Sequence, residues 1–316
     1  TLVSSSAASD VYKRQPHPTY HAPQPWHDMY DPDDLPQLRP VRGEGAPDFH
    51  ALIRRYRDIE HTDEAVLRKV MAVYLGMTSY VDYLLGGLMD ALEETGQVND
   101  TAIVAFSDHG DWAGDYGLVE KWPSGLDDTL THVPLIMRVP GMEKGHVVKA
   151  PVELFDIVPT TLELAGIEAH HTHFARSQVD ALRGRETDPY RAVFAEGGYD
   201  GHEPHCFEGK PSDGVAGDPN GIYYPKGLQQ QEYPESVCRA HMVRTANHKL
   251  VRRSSGRHEL YDLSSDPHEL DNAYGRAEHD GVQHSLEDRL LNWQLCTSDV
   301  TPHEADPRGF PEGTVR

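Results

Sequence analysis

Cysteine is scarce: three in 316 residues. That excludes a dense disulfide framework. Positive charge is also short, with 29 Lys and Arg against 51 Asp and Glu and a net charge of −22. A chain this acidic repels nucleic acid and anionic membranes, which excludes a non-specific binder of either. The charge reads as a solubilising surface. No apolar run approaches the ~20 residues that span a bilayer. Residues 1–15 lack the charged n-region and apolar h-region of a signal peptide and show no helix or strand period. They read as a non-native leader, so the native sequence is expected to enter at Pro16, part-way into a protein. Internal repeats are absent too. The length suits one large domain or two smaller ones, with a core that needs no metal or disulfide merely to fold.

What is present divides in two. Residues 16–48 are rich in Pro, Asp and His, which suits an extended surface segment. A long helix follows. Val66, Val70, Val73, Met77, Val81, Leu84, Leu88 and Leu92 recur in steps of three and four. Thr62 or Asp63 is placed to cap it and Gly96 to stop it. Gly86 and Gly87 suggest close packing against a neighbour. Thr101–Phe106 reads as a short buried strand and Val133–Val139 as another. Asp156 to Ala165 reads as a helix with Asp156 as its cap. Together these predict an α/β layout with helices over a largely parallel sheet. Residues 16–190 form this first part.

Residues 191–316 form a second, smaller α+β part. Ala192–Ala195 is a short strand. Residues 197–236 show no periodicity, and a loop so long is expected to be functional or mobile. His241–Thr245, His248–Arg252 and Glu259–Leu263 suit a small antiparallel sheet. Val282, Leu286, Leu290 and Trp293 lie on one face of a last helix, and a polar tail follows Thr301.

The chemistry concentrates at Ser107-Asp108-His109-Gly110, directly after the first strand. Ligands in open α/β sheets bind beyond the carboxyl ends of strands. Lys121 follows 13 residues after Asp108, beyond a glycine-containing loop. Carboxylate, imidazole and ammonium gathered there suit a metal and an oxyanion. The same spacing also suits a plain capping or hydrogen-bonding pair. Asp111 and Asp115 read as solvated loop residues. His132 reads equally as support for the site or as a buried core histidine. His202, His205 and Cys206 lack the spacing of a structural zinc site. Their loop is expected to line a substrate pocket, with Tyr199, His202, Tyr223, Tyr224 and Lys226 placed to touch a sugar or aryl group. A Cys206–Cys238 disulfide is one option.

Five segments, in order, resemble the sulfatase family of the alkaline-phosphatase superfamily. They are PHPTYHAP, YLGMTSYVDYLLGGLMDALEETG, TAIVAFSDHGDWAGDYGLVEKWPSGLDDTLTHVPLIMRVPG, VELFDIVPTTLELAGI, and VRTANHKLVRR with ELYDLSSDPHELDN. The resemblance implies an alkaline-phosphatase-like mixed sheet flanked by helices, with a small antiparallel C-terminal subdomain. It implies Asp108 and His109 as metal ligands, with Ca²⁺ first and Mg²⁺, Mn²⁺ or Zn²⁺ as alternatives. It implies Lys121 and His17 as contacts to sulfate and to the leaving oxygen. His at position 109, with THVPLI, resembles the iduronate-2-sulfatase-like branch. The nucleophile implied is a formylglycine hydrate, attacking a small-molecule or saccharide sulfate ester. The family motif for that nucleophile is Cys or Ser, x, Pro, x, Arg, and this sequence has none. Ser265-Asp266-Pro267 is followed by Glu269 where Arg is required. In the family's order, the nucleophile and the paired aspartates of the first strand precede Pro16. The chain is therefore expected to be an N-terminally truncated sulfatase, inert by itself. The alternatives are a phosphonate or phosphate ester hydrolase of the same superfamily and a non-catalytic sulfatase-like binding module.

Overall fold

The computed structural model describes residues 16–169, 171–185, 187–213 and 217–298. The leader and the polar tail lie outside the described residues. In chain order the elements are α1 (Asp48–Tyr56), α2 (Glu64–Glu94), β1 (Ile103–Phe106), α3 (Asp128–Thr131), β2 (Leu135–Arg138), α4 (Ile157–Ala165), α5 (Val179–Leu182), β3 (Val193–Gly197), α6 (Tyr224–Glu232), β4 (Ala240–Arg244), β5 (His248–Arg253), β6 (Glu259–Asp262) and α7 (Asp280–Thr297). The chain folds into two compact units, each built from separated segments. Among the described residues, one comprises those up to Thr101, His109–Val133 and Gly197–Arg239; the other comprises Ala102–Asp108, Pro134–Glu196 and those from Ala240 on.

In the first unit α2 is the backbone of the packing. Asp63 caps it, its carboxylate accepting from the Ala65 N–H at 2.9 Å. Its first half buries Ala72, Val73, Gly76 and Met77 under the Pro-rich segment. Gly76 is there because nothing larger fits: a Cβ would sit 2.0 Å from the Trp26 carbonyl oxygen. Gly86 and Gly87 differ from expectation. An added Cβ at either meets nothing within 4 Å, so no neighbour requires them. The Pro-rich segment does lie along the surface, but α2 fixes it. Arg68 donates to the carbonyls of Pro32 and Leu35 at 2.5 and 2.8 Å. Tyr30 Oη pairs with Ser79 Oγ at 2.8 Å. Trp26 packs on Tyr80 and Tyr83 at 4.6 and 5.0 Å between centroids.

Two helices of this unit escape the sequence pattern. α1 is one turn-pair long and buries Phe49, His50 and Ile53. α6 lies inside the expected loop 197–236. Its buried face is Gly227, Gln229 and Gln230, so it carries no apolar period to detect. Gln230 holds the loop by accepting from the Glu208 N–H at 2.9 Å.

In the second unit β1 and β2 pair antiparallel, Phe106 opposite Leu135 and Ile103 opposite Arg138. The expected parallel arrangement is corrected here. The 107–134 connection leaves and returns at the same end of the pair, so no crossover is made. Nor is β1 buried: Phe106 is 49 % exposed and Ile136 on β2 66 %. The second sheet has the order β3-β4-β5-β6. Antiparallel pairing sets Val243 opposite Leu250, and Leu250 opposite Leu260. These three pack with Ala273 and with Leu286 and Leu290 of α7. Phe194 stacks on Trp293 at 4.9 Å. Buried charge is paired: Lys249 with Glu269 at 2.5 Å and Arg253 with Glu259 at 2.7 Å. Asp156 makes no side-chain cap on α4. It is fully buried and binds Arg191 through two bonds of 2.5 and 3.0 Å, and it accepts from the Arg176 N–H at 2.8 Å. No described helix is long and apolar enough to cross a membrane.

Candidate functional site

Lys121 and His17 are 104 residues apart and meet in the first unit, Lys121 Nζ to His17 Nε2 at 2.6 Å. The geometry fixes the histidine tautomer. His17 Nδ1 lies 2.6 Å from the Pro18 carbonyl oxygen, which only accepts, so Nδ1 carries the proton. Nε2 then holds the lone pair and accepts from the Lys121 ammonium.

The loop before Lys121 holds it in place through an unusual backbone. Ala113, Gly114, Tyr116, Gly117 and Glu120 all have positive φ, at 46°, 111°, 57°, 69° and 67°. A non-glycine residue there costs about 1–2 kcal/mol, so other contacts must hold it. Asp111 Oδ1 accepts from Tyr20 Oη at 2.8 Å, from the Ala113 N–H at 2.8 Å and from the Glu120 N–H at 3.1 Å. Tyr20 Oη in turn accepts from the Glu120 N–H at 2.8 Å. Glu120 itself is buried and pairs with Arg57. Burial, with the Asp111 charge beside it, holds the Tyr20 phenol well above its ordinary pKa. Burial also raises the Asp111 carboxyl, against the hydrogen bonds from Tyr20 and Ala113. Asp111 is thus not a solvated loop residue. Neither is Asp115, which accepts from the Arg39 N–H at 2.8 Å.

Beneath the loop lies an aromatic floor of Phe49, Trp112, Tyr116 and Trp122. Asp127 is buried within it, paired with Arg42 at 2.7 Å and accepting from Trp112 Nε1 at 3.2 Å. Gly110 is needed where the chain passes α3, since a Cβ would lie 2.0 Å from the Thr129 carbonyl oxygen.

Asp108 closes the strand segment of the second unit and is exposed; His109 opens the loop segment of the first. His109 Nδ1 lies 2.9 Å from the Gly110 carbonyl oxygen, so by the same argument its proton sits on Nδ1 and the lone pair on Nε2. That is the orientation a metal-ligating imidazole takes. The donor set stays partial, however. Among the described residues no three or more His, Cys, Asp or Glu gather to hold a metal, and Ca²⁺ takes roughly six to eight oxygen ligands.

The other candidates resolve individually. His132 is exposed, which removes the buried-core reading. Cys206, Cys238 and Cys296 are free thiols, so the disulfide is not formed. His202 binds Asp200 at 2.6 Å, Lys226 binds Glu208 at 3.1 Å, and Tyr199 packs on Phe207. Of the five loop residues expected at a substrate, Tyr223 alone lines the cavity of the first unit that Tyr20, Val70, Val73 and Glu120 also line. Tyr20, Glu120 and Arg57 carry no signal in the sequence pattern, and Asp111, expected in solvent, is instead part of their network. Tyr20's place three residues after His17 says nothing of a partner 91 residues away.

An α/β chain with this loop and an antiparallel C-terminal sheet is of the alkaline-phosphatase-like class. Residues 11–167 match the sulfatase family model, and residues 220–295 match the model of the N-sulphoglucosamine sulphohydrolase C-terminal region. The chain belongs to the sulfatase family. It is 28 % identical to the multifunctional alkaline phosphatase superfamily protein PehA of Trinickia caryophylli, over 94 % of this chain and 57 % of that protein. It is 28 % identical to an N-acetylglucosamine-6-O-sulfatase of Bacteroides thetaiotaomicron, over 76 % of this chain and 38 % of that protein. Among solved structures, the phosphonate monoester hydrolase of Silicibacter pomeroyi superposes with a TM-score of 0.68 at 28 % identity, over 90 % of this chain and 55 % of that one. The chain thus spans a little over half the length of PehA and of that hydrolase.

Proposed function

We propose that the chain belongs to a sulfuric-ester hydrolase and that Lys121 and His17 receive the sulfate. The observation that carries this reading is the 2.6 Å contact between Lys121 Nζ and His17 Nε2. An ammonium has three N–H donors. One goes to His17, and the cation beside it favours a tetrahedral anion. As the ester bond breaks, charge develops on the leaving oxygen. Lys121 donates a proton to it, and the proton on His17 Nδ1 keeps the imidazole in the orientation that accepts from Lys121. Asp108 and His109 are proposed as two ligands of a divalent metal, Ca²⁺ first, which would polarise the sulfate oxygens. The three cysteines stand outside the formylglycine motif, so no step is assigned to them; a formylglycine nucleophile is proposed to come from sequence before Pro16. His109 and THVPLI support an iduronate-2-sulfatase-like assignment within the family. Saccharide sulfates remain the substrate class that the glucosamine sulfatase relative supports.

A second reading, a phosphonate monoester hydrolase, is favoured by the Silicibacter pomeroyi likeness. Calorimetric titration of the chain with sulfate and with phenylphosphonate separates the two. The first reading expects sulfate to bind, and Lys121→Met and His17→Ala each to weaken it tenfold or more. Phosphonate binding without sulfate binding supports the second reading. Sulfate binding unchanged in both variants overturns the assignment of these residues.

A further inference from the structure

The Lys121–His17 contact joins two stretches of chain 104 residues apart, and two tyrosines bond to the residues beside it. Tyr20 lies three residues after His17. Its ring is anchored on α2, edge-on to Tyr74 at 6.4 Å between centroids and against the cluster of Ala22, Val73 and Met77. Tyr223 stands at the start of α6, where its carbonyl oxygen accepts from the Gly227 N–H at 3.1 Å. Each hydroxyl is thereby aimed by a helix, and each bonds to a backbone group next to one member of the pair.

On the Lys121 side that group is the Glu120 N–H. It donates to Tyr20 Oη at 2.8 Å and to Asp111 Oδ1 at 3.1 Å, while Tyr20 Oη donates to Asp111 Oδ1 at 2.8 Å. The three groups close a triangle with Glu120 at one corner. Glu120 has a φ of 67°, a left-handed backbone that a non-glycine residue keeps only when its surroundings hold it. The next residue is Lys121, so this corner sets the direction in which the Lys121 side chain leaves the loop. Of the three, Tyr20 alone belongs to the His17 stretch. It therefore ties the loop to the segment that carries His17.

On the His17 side the group is the Pro18 carbonyl. It accepts from His17 Nδ1 at 2.6 Å and from Tyr223 Oη at 3.0 Å. A carbonyl oxygen has two lone pairs, and both are engaged here. Tyr223 stops the Pro18 peptide from turning away, and with it the acceptor that keeps the proton on His17 Nδ1. The Nε2 lone pair then stays directed at Lys121. Removing either hydroxyl leaves Lys121 and His17 chemically intact but frees one of them to move, and small misplacements of reacting groups are costly.

We propose that Tyr20 and Tyr223 are positioning residues for the Lys121–His17 pair, Tyr20 acting on Lys121 through the Glu120 amide and Tyr223 acting on His17 through the Pro18 carbonyl. Neither is assigned a contact with sulfate. The proposal rests on the sulfate reading above and adds to it the groups that hold the two sulfate-binding side chains together.

The test reads the His17 imidazole ¹⁵N resonances of the 316-residue chain with no anion present, and then its sulfate affinity by calorimetry. Tyr20→Phe is expected to move the Nε2 resonance toward its position in Lys121→Met, and to move it no further in a chain that already carries Lys121→Met. Tyr223→Phe is expected to move the Nδ1 resonance in both backgrounds. Each tyrosine variant weakens sulfate binding roughly fivefold. Asp111→Asn keeps the oxygen that accepts from Tyr20 and Glu120, so it binds sulfate at least as tightly as the unaltered chain. Tyr223 is partly exposed, so its variant is expected to fold even if Tyr20→Phe does not. A merely structural role would loosen the fold without moving the two ring nitrogens separately. A folded variant that leaves the His17 resonances unmoved overturns the assignment of its tyrosine, and an Nε2 shift from Tyr20→Phe that persists in full without Lys121 overturns the route through Lys121. An unaltered chain that binds no sulfate overturns the sulfate reading instead, and the resonances still decide the positioning.

Discussion

The loop that carries Lys121 and the C-terminal sheet are both dense with buried charge, but they are held by different means. In the sheet, Val243, Leu250, Leu260, Leu286 and Leu290 form an apolar core, and the ion pairs Lys249–Glu269 and Arg253–Glu259 are embedded beside it. The strands there are regular, and the one non-glycine positive φ among the described residues of this region is at Glu269, at 54°. In the loop the backbone is strained at three non-glycine residues of positive φ, Ala113, Tyr116 and Glu120, and polar contacts fix it: Tyr20 and Asp111 on one side, Arg42 and Asp127 below. The sheet gains stability from burial; the loop spends it on geometry. Strain of that kind concentrates where a side chain must be aimed.

The sharpest break of this contrast is in the sheet. Lys249→Ala leaves the Glu269 carboxylate buried without its partner, a loss of about 3–5 kcal/mol. Denaturant unfolding measures it. A loss below 1 kcal/mol would mean that the pair is not closed off from water. Next comes the seat of the Pro-rich segment. Gly76→Ala forces a Cβ into the Trp26 carbonyl and is expected to cost about 1–3 kcal/mol. Gly86→Ala on the same helix meets open space and should stabilise by up to about 1 kcal/mol. Thermal melts of the two variants should therefore move in opposite directions.

Of comparable or smaller size is the loop's own latch. Tyr20→Phe leaves the Glu120 N–H and Asp111 short of a partner, at about 1–3 kcal/mol. The pH dependence has a definite sign. The folded phenol is held above its ordinary value of about 10. Above that pH the unfolded chain loses the Tyr20 proton while the folded one keeps it. The folded state then binds more protons, so stability falls as pH rises through that range. Tyr20→Phe should flatten this part of the stability–pH curve. An unchanged slope would place the latch elsewhere. The smallest effect is expected at Asp115→Asn, within about 1 kcal/mol, since an amide oxygen still accepts from the Arg39 N–H.

The same contrast explains what the sequence disclosed. α2, β4 to β6 and α7 were legible because their apolar residues recur at the period of the element, and Asp63 stands where a cap belongs. α1 and α6 were not. The first is short and the second buries Gly and Gln, so neither writes a hydrophobic stripe. The pairing direction of β1 with β2 was misread because a short apolar run carries no information on its partner. The depth of the Asp111 and Asp115 carboxylates was misread for a related reason: their partners, Tyr20 and Arg39, lie 91 and 76 residues away. Lys121 and His17 were reached through the family motifs, and their distance of approach came only from the fold.

The most direct test of the account is the ¹⁵N spectrum of the His17 imidazole. The account predicts a proton on Nδ1, a bare Nε2 that shifts when Lys121 is changed to Met, and a further shift when sulfate is added. An Nε2-protonated ring, indifferent to both, would contradict it.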